Sequence, residues 1–405
     1  MSIAALAYSG GLDTSYAVLA LKRAGHDVVT VTVDTGGFDP KELAALEKRA
    51  LRLGAIEHKT IDGRREVYDR FFSFVIRGNV LRGGVYPVAV GAERVVQAEG
   101  LIRVARDVGA QAVAHGCTAA GNDQVRFDVA LATLAGELEI LAPVRDGEVS
   151  REESTRTLAE AGVEIPAKTT RYSINAGLVG TTVGGGETHD PWTEIPAEAF
   201  AEAGARVDPD ASERELRITF ENGLPVAIDG ETLDPLELVA RLDALALPLG
   251  IGCGTHLGDT ILGIKGRIGF VAPAATVLIE AHRELEKLVL TKRQADFKNR
   301  AGDYYGDLLH EGLYFDPVCR DLERLLESSQ QCVSGDVRAR LLRGRVEVTG
   351  VRSPHALMLD AARYGEESDL WQGRDASGFA RIYGIPSRIA AERDTANKQK
   401  KEPRS

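Results

Sequence analysis

Two clusters in this 405-residue chain hold residue types that can do chemistry. The first is Ser9-Gly10-Gly11-Leu12-Asp13-Thr14-Ser15, led in by Ala7 and Tyr8. Paired glycines let a backbone turn sharply and approach an anion closely. The segment sits between a short apolar run and an amphipathic stretch, so it reads as a loop opening a helix. Exposed N–H groups at a helix start, with the macrodipole behind them, hold a phosphate. Ser9, Thr14 and Ser15 add hydroxyl donors. The loop has neither the Gly-Lys-Ser/Thr ending of a Walker A motif nor GxGxxG spacing. Asp13 reads either as a helix-start cap or as a carboxylate that orients a reacting oxygen and a Mg²⁺ ion.

The second cluster is Ala114-His115-Gly116-Cys117-Thr118-Ala119-Ala120-Gly121-Asn122-Asp123-Gln124-Val125-Arg126-Phe127. A strand ends near His115, and a helix begins after Asn122. Asn122 and Arg126 share a helix face at i, i+4. This mixture of polar groups suits an amino acid ligand. Thr118 and the helix start can take a carboxylate, Asp123 an ammonium, and Arg126 a second carboxylate through its fork. The bland alternative is a surface helix capped by Asn122. His115 reads as structural.

Positioning these clusters requires a layered frame. Residues 3–8, 27–33, 111–115 and 138–142 read as strands, the last ended by Pro143. Residues 14–24 read as a helix stopped at Gly25. Asp39-Pro40 opens another, with Glu42 placed to complete a capping box, and Ser150 with Glu153 repeats that pattern. Such alternation builds a parallel sheet covered by helices on both faces. Ligands sit at the carboxyl ends of such strands, which places Val33 and Asp34 of Asp34-Thr35-Gly36-Gly37 beside a nucleotide, unless Asp34 only makes a turn. Beyond about residue 168 the rhythm changes. Asn222-Gly223 between residues 216–220 and 225–228 predicts a hairpin. Gly344 between residues 338–342 and 346–348 predicts a second. Amphipathic helices are expected near 273–290 and 304–327, and a disordered basic tail over 398–405.

The formal net charge of -11 argues against a chain that mainly grips nucleic acid. No run approaches the roughly 18 apolar residues of a membrane span. Cys117, Cys253, Cys319 and Cys332 lack CxxC or zinc spacing and read as reduced thiols of a cytoplasmic protein.

The first cluster resembles the SGGxDS loop of the ATP enzymes that release pyrophosphate and leave AMP on their substrate. The second resembles the AHGxTGxGNDQVRF segment of argininosuccinate synthases. Tyr86-Pro87, Ser150-Arg151-Glu152-Glu153, Tyr172-Ser173, Asp190-Pro191-Trp192, Gly263-Ile264-Lys265-Gly266-Arg267, Ala281-His282-Arg283-Glu284-Leu285-Glu286, Ser353-Pro354 and Gly378-Phe379 have counterparts in the same order. The resemblance implies an α/β fold. A parallel-sheet nucleotide-binding domain of the adenine nucleotide alpha hydrolase-like (PP-loop) type would span 1–167. An α+β synthetase and multimerisation domain would span 168–370, and a C-terminal helix and tail 371–405. It implies a homotetramer that uses ATP with Mg²⁺ and acts on citrulline and aspartate, with neither nucleic acid nor membrane as partner.

Carried over by position, Ala7, Tyr8, Ser9, Gly10, Gly11, Leu12, Asp13, Thr14, Ser15, Val33 and Gly116 would bind ATP. Thr118, Asn122 and Asp123 would bind aspartate. Tyr86, Asn122, Arg126, Ser173 and Thr182 would bind citrulline, and Asp13, Asp123 and Arg126 would be catalytic. Lys168 is a further candidate near the phosphates. The chain departs from the family's usual residues at Gly91, Thr182, Gly258, Phe270, Ala120 and Asn175-Ala176-Gly177. Most departures lie on the citrulline side, where Asp259 could replace a carboxylate missing at Gly258. Two alternatives stay open: a ligase joining aspartate to a modified ureido compound, and a silent paralogue that binds nucleotide or aspartate.

Overall fold

The computed structural model describes residues 2–163, 171–359, 363–366 and 368–401. Lys168 lies outside them. Residues 1–355 form one compact unit and residues 356–405 a second.

The first strand, β1 (Ser2–Ala7), is followed by α1 (Leu12–Arg23), β2 (His26–Asp34), α2 (Pro40–Leu53) and β3 (Glu57–Asp62). Three short helical pieces follow: α3 (Arg64–Val67), a π turn over Tyr68–Phe72, and α4 (Ser73–Gly78). Next come α5 (Glu93–Asp107), β4 (Ala112–Ala114), α6 (Asp123–Leu134), β5 (Glu139–Leu141), α7 (Pro143–Asp146) and α8 (Arg151–Glu160). The five strands form a parallel sheet in the order β3-β2-β1-β4-β5. Strand order reverses between β1 and β4, so the crevice beyond their carboxyl ends is where such a sheet receives a ligand. Both clusters from the sequence open there.

Local signals explain the element ends. Asp39 Oδ1 accepts from Lys41 N and Glu42 N at 2.7 and 2.8 Å, and Asp39 N donates to Glu42 Oε2 at 2.8 Å, which completes the predicted box. At α8, Ser150 Oγ accepts from Glu153 N at 3.1 Å, the first half of the second box. β3 and α5 were not expected from the sequence. β3 alternates polar residues at the sheet edge, and α5 is buried on most sides, so neither has a clear amphipathic period.

The rest of the compact unit holds two antiparallel sheets. One combines β6 (Tyr172–Gly177), β7 (Gly180–Gly185), β11 (Cys253–Asp259) and β12 (Lys265–Val271) in the order β11-β12-β7-β6. The other combines β8 (Arg214–Glu221), β9 (Leu224–Ile228), β10 (Glu231–Thr232), β13 (Gly335–Leu342) and β14 (Arg345–Arg352) in the order β10-β9-β8-β13-β14. Both predicted hairpins are present. Asn222 and Gly223 have φ of 49° and 78°, the pair of left-handed residues that a tight two-residue hairpin demands.

Helices α9 (Ala197–Glu202), α10 (Pro235–Ala246), α11 (Pro273–Val289), α12 (Lys292–Glu311) and α13 (Pro317–Ser329) pack around these sheets. The helix expected over 304–327 is two helices. Gly312 ends α12 at φ 78°, and Asp316 caps α13, with Pro317 at its first position. One apolar core joins the parallel sheet to the rest: Val29, Phe71 and Leu101 share it with Phe220, Leu278 and Val337. A smaller core, with Leu6, Val18, Leu46 and Leu158, lies on the other face of the parallel sheet.

The second unit contains α14 (Gly373–Tyr383) and α15 (Ile385–Lys401). The tail expected to be disordered from 398 is helical through Lys401, because nothing in residues 385–401 after Pro386 breaks a helix. Residues 402–405 lie outside the described chain. Among the described residues no helix is long and apolar enough to cross a membrane.

Candidate active site

The phosphate loop leaves β1 at Ala7 and enters α1 at Leu12. Gly10 has φ 71°, and a Cβ there would fall 2.0 Å from Leu46 Cδ2. Glycine is therefore required both by conformation and by the close packing of α2. Arg49 Nη1 donates to Gly10 O at 2.6 Å and ties the loop down. The first turn of α1 leaves the N–H groups of Leu12, Asp13 and Thr14 without intrahelical acceptors. The exposed Ser9 has its Oγ 3.2 Å from Thr14 Oγ1, so two hydroxyls flank those amides.

Other loop residues support it from below. Tyr8 is buried, its carbonyl accepts from Thr32 Oγ1 at 2.7 Å, and its hydroxyl lies 3.5 Å from the buried Ser15 Oγ. Leu12 packs into the smaller core. Asp13 does not cap α1, whose N-cap is Gly11 without a side-chain bond. Its carboxyl is half-buried. Burial pushes its pKa up, against the pull of Arg151. Val33 packs against Gly63 and Gly100. Asp34 is buried and accepts from Gly36 N at 2.8 Å, which is the turn reading of that residue.

The second cluster abuts the first. A Cβ on Gly116 would fall 2.9 to 3.0 Å from Thr14 atoms, so this glycine lets the loop after β4 press on the start of α1. His115 is fully buried and structural, as expected. Its Nδ1 accepts from Cys117 N at 3.2 Å and its Nε2 lies 2.9 Å from Asp128 Oδ1, which fixes the loop. Thr118 stands exposed on that loop.

Asn122 precedes α6 without capping it. Its Oδ1 accepts instead from Ile261 N at 3.0 Å, which carries it across to the β11–β12 turn. Asp123 sits between two guanidinium groups: Arg94 Nη2 at 3.0 Å and Arg126 Nη1 at 2.8 Å. Burial works to raise the Asp123 pKa, but Arg94 and Arg126 outweigh it and hold the carboxyl well below the usual carboxylate range. Arg94 also donates to Asn175 Oδ1 at 3.1 Å. Arg126 Nε donates to His310 O at 2.9 Å, and its Nη2 lies 3.2 Å from His310 Nδ1. Gly91, at φ 141°, lies against the Arg126 guanidinium, with its Cβ position 3.4 Å away.

The remaining wall is one face of the four-stranded sheet. Cross-strand register pairs Asn175 with Thr182, Thr182 with Phe270, and Phe270 with Gly254. Residues directly opposite share a face, and alternate residues along a strand share it too, which adds Ser173, His256 and Gly258. Tyr86 packs on this face, with ring centroids 5.4 Å from Phe270 and 5.5 Å from His256. Its hydroxyl accepts from Val90 N at 3.0 Å. Thr182 is buried, whereas Ser173 is exposed. Asp259 points to the opposite face and pairs with Lys265 at 2.6 Å, so it does not replace a carboxylate at Gly258.

The loop end and the charged end are therefore contiguous through Gly116 and Cys117. The first can bind phosphates. The second holds mixed charge that can orient an amino acid. Sequence reading missed Arg94, Arg49, Glu93 and His310. A signal existed for two of them: Glu93-Arg94 is a charged pair between apolar runs, and such a pair is buried only when its charges are matched. Among the described residues no group of three His, Cys, Asp or Glu could by itself hold a metal.

Comparison with known proteins matches the chain to two consecutive family models. Residues 3–164 match the argininosuccinate synthase N-terminal HUP domain, and residues 172–390 match the C-terminal domain. The argininosuccinate synthase of Xanthomonas campestris pv. campestris is 40% identical over 396 residues, covering 96% of this chain and 98% of its own. That of Lactiplantibacillus plantarum is 38% identical over 388 residues, covering 96% and 94%. That of Methanocaldococcus jannaschii is 36% identical over 388 residues, covering 96% and 97%. The chain belongs to the argininosuccinate synthase family.

Proposed function

We propose that this enzyme joins a ureido amino acid of the citrulline class to aspartate, at the expense of ATP, giving argininosuccinate, AMP and pyrophosphate. The observation that carries the reading is the abutment of Gly116 on Thr14. It puts the amino acid cluster within a residue or two of the phosphate loop, so two substrates can meet at one phosphorus.

A ureido carbon is a poor electrophile and its oxygen a poor leaving group. Attack of that oxygen on the α-phosphorus releases pyrophosphate and corrects both faults. The free amides of Leu12, Asp13 and Thr14, with the Ser9 and Thr14 hydroxyls, stabilise the departing charge. The amine of aspartate then attacks the activated carbon and AMP leaves. Thr118, Asn122 and Asp123 hold aspartate, while Tyr86, Arg126, Ser173 and Thr182 surround the ureido substrate. Positioning supplies most of the rate, since no protein nucleophile is required.

Magnesium would arrive with the nucleotide, because Mg²⁺ is held by substrate phosphates and one or two carboxylates. Asp13, half-buried beside the loop amides, fits that part. A homotetramer in the cytoplasm is part of the same reading. Exposed Phe379, Ile382 and Tyr383 on α14 support a face covered by another subunit.

The test is an isotope transfer. With ¹⁸O in the ureido group, the label should appear in AMP. Unlabelled AMP formed together with product would rule out attack by the ureido oxygen.

A further inference from the structure

The carboxyl end of α12 is built around one side chain of the proposed site. This helix runs for 20 residues and ends at Gly312, which is left-handed at φ 78°. A Cβ on Gly312 would fall 3.1 Å from both Arg126 Cα and Arg126 Cγ, so the glycine lets the helix end close on the Arg126 stem. The last carbonyls of a helix lack intrahelical donors and form the negative end of its dipole. Gly312 N satisfies those of Leu308 and Leu309. The carbonyl of His310 accepts instead from Arg126 Nε at 2.9 Å. His310 also meets the guanidinium with its ring, Nδ1 lying 3.2 Å from Arg126 Nη2.

A guanidinium can only donate, so Nδ1 offers a lone pair and the ring's proton sits on Nε2. The surroundings keep the ring in that neutral form. His310 is buried, and the charged or titratable groups acting on it are Arg126 from α6, Arg82 from the segment after α4 and His256 from β11. Asp307, one turn back on α12, is engaged by Arg82 at 3.1 Å. Burial first, then Arg126, Arg82 and His256, push the His310 pKa down to about 3.

Of the roughly five N–H donors of a guanidinium, His310 takes one from Nε and one from Nη2, and Asp123 Oδ1 takes one from Nη1 at 2.8 Å. One N–H remains on each terminal nitrogen. Gly91 puts no side chain over that end of the fork, its Cβ position being 3.4 Å from Arg126 Cζ and Nη2. Holding Nε and Nη2 together fixes the plane of the guanidinium, which the Asp123 contact alone would let turn.

We propose that His310 is a positioning residue, which locks the Arg126 fork with its carbonyl and its ring so that the two remaining N–H groups meet the carboxylate of the ureido substrate. This rests on the ureido-ligase reading, in which Arg126 lies against that substrate.

The experiment measures pyrophosphate release with citrulline, ATP and aspartate varied in turn, for the wild-type enzyme, His310→Phe and His310→Asn. Phenylalanine keeps a ring and the main-chain carbonyl but has no acceptor at the Nδ1 position. Asparagine carries an amide oxygen the same number of bonds from the backbone as Nδ1. His310→Phe should raise KM for citrulline about tenfold, the scale of one hydrogen bond to a charged group. Its kcat and its KM for ATP should stay within about twofold of wild type, because only substrate binding loses a contact. His310→Asn should bring the citrulline KM back to within about threefold of wild type. If unfolding midpoints show that His310→Phe has lost its fold, His310→Ala replaces it. A citrulline KM unchanged in the variant without an acceptor, or equal losses in that variant and His310→Asn, overturns the positioning role and leaves the ligase reading intact. Wild-type enzyme whose pyrophosphate release does not depend on citrulline overturns the ligase reading, and the proposal with it.

Discussion

The proposed nucleotide end and the proposed amino acid end of this site are built in opposite ways. The phosphate loop is seven consecutive residues, made of backbone amides, glycines and short hydroxyls. Its partners are mostly its own neighbours, and residues from elsewhere, such as Leu46, Arg49 and Gly116, brace it. The charged end is assembled from α5, α6, β6 and the end of α12. Its side chains are largely spent on each other. The loop is thus a ready-made anion cradle whose geometry is local. The charged end is a buried network that stands or falls as a unit.

That contrast predicts that mutations at the two ends fail differently. The largest effect is expected at Asp123. Asp123→Ala leaves two guanidinium groups facing each other in a site where the carboxylate is only 26% exposed. Breaking such a pair costs about 3–5 kcal/mol of stability. Denaturant unfolding should show that loss, and pyrophosphate release should vanish with it. A variant that stays as stable as the wild-type enzyme would show that the network does not hold the end together. Gly10→Ala should behave the other way. The added Cβ meets Leu46 and a left-handed backbone, so the amides shift. A displacement of this kind costs about 10²-fold in kcat/KM for ATP, with the amino acid KM and the m-value of unfolding nearly unchanged.

Acid should weaken the charged end before the loop. Burial, first of all, and then Arg126 and Arg82 push His310 down to about 3. The unfolded residue titrates near about 6.5. Below that pH the unfolded chain takes up a proton that the folded site refuses. The His310 contribution is whole above about pH 6.5 and falls away towards pH 3, by at most about 1.4 kcal/mol per pH unit. His310→Asn should flatten the fall of the unfolding midpoint between pH 6.5 and 4.5. A slope identical to wild type would assign the acid sensitivity elsewhere, to His282 for instance, which is also buried and lowered to about 4. The smallest effect belongs to the frame. Asp39→Ala removes a complete capping box and should cost about 1 kcal/mol without moving any kinetic constant.

The same contrast explains what could be read from the sequence. The loop, the capping box at Asp39, the hairpin at Asn222-Gly223 and the parallel sheet all rest on signals within a few residues. The charged end rests on contacts between residues far apart in the chain. Arg94 reaches Asp123, 29 positions on, and Asn175, 81 positions on, while Arg126 reaches His310 across 184 positions. Motif spacing names Asp123 and Arg126 but not the partners that set their charge. Asn122 illustrates the limit: it stands where a helix cap belongs, yet its side chain serves the β11–β12 turn. Asp259 illustrates it again. One residue along a strand is the other face of the sheet, so its nearness in sequence to Gly258 is not nearness in space. The long helix expected over 304–327 failed because the amphipathic period survives the break at Gly312, while the backbone does not.

The most direct test of the account is pyrophosphate release from ATP and Mg²⁺ with aspartate present, with a ureido amino acid either added or left out. The two-ended site predicts release only when a ureido compound is supplied, with its condensation product with aspartate found by mass. ATP binding without release under any of these conditions would contradict the account, and would leave a nucleotide-binding protein that carries the fold without the reaction.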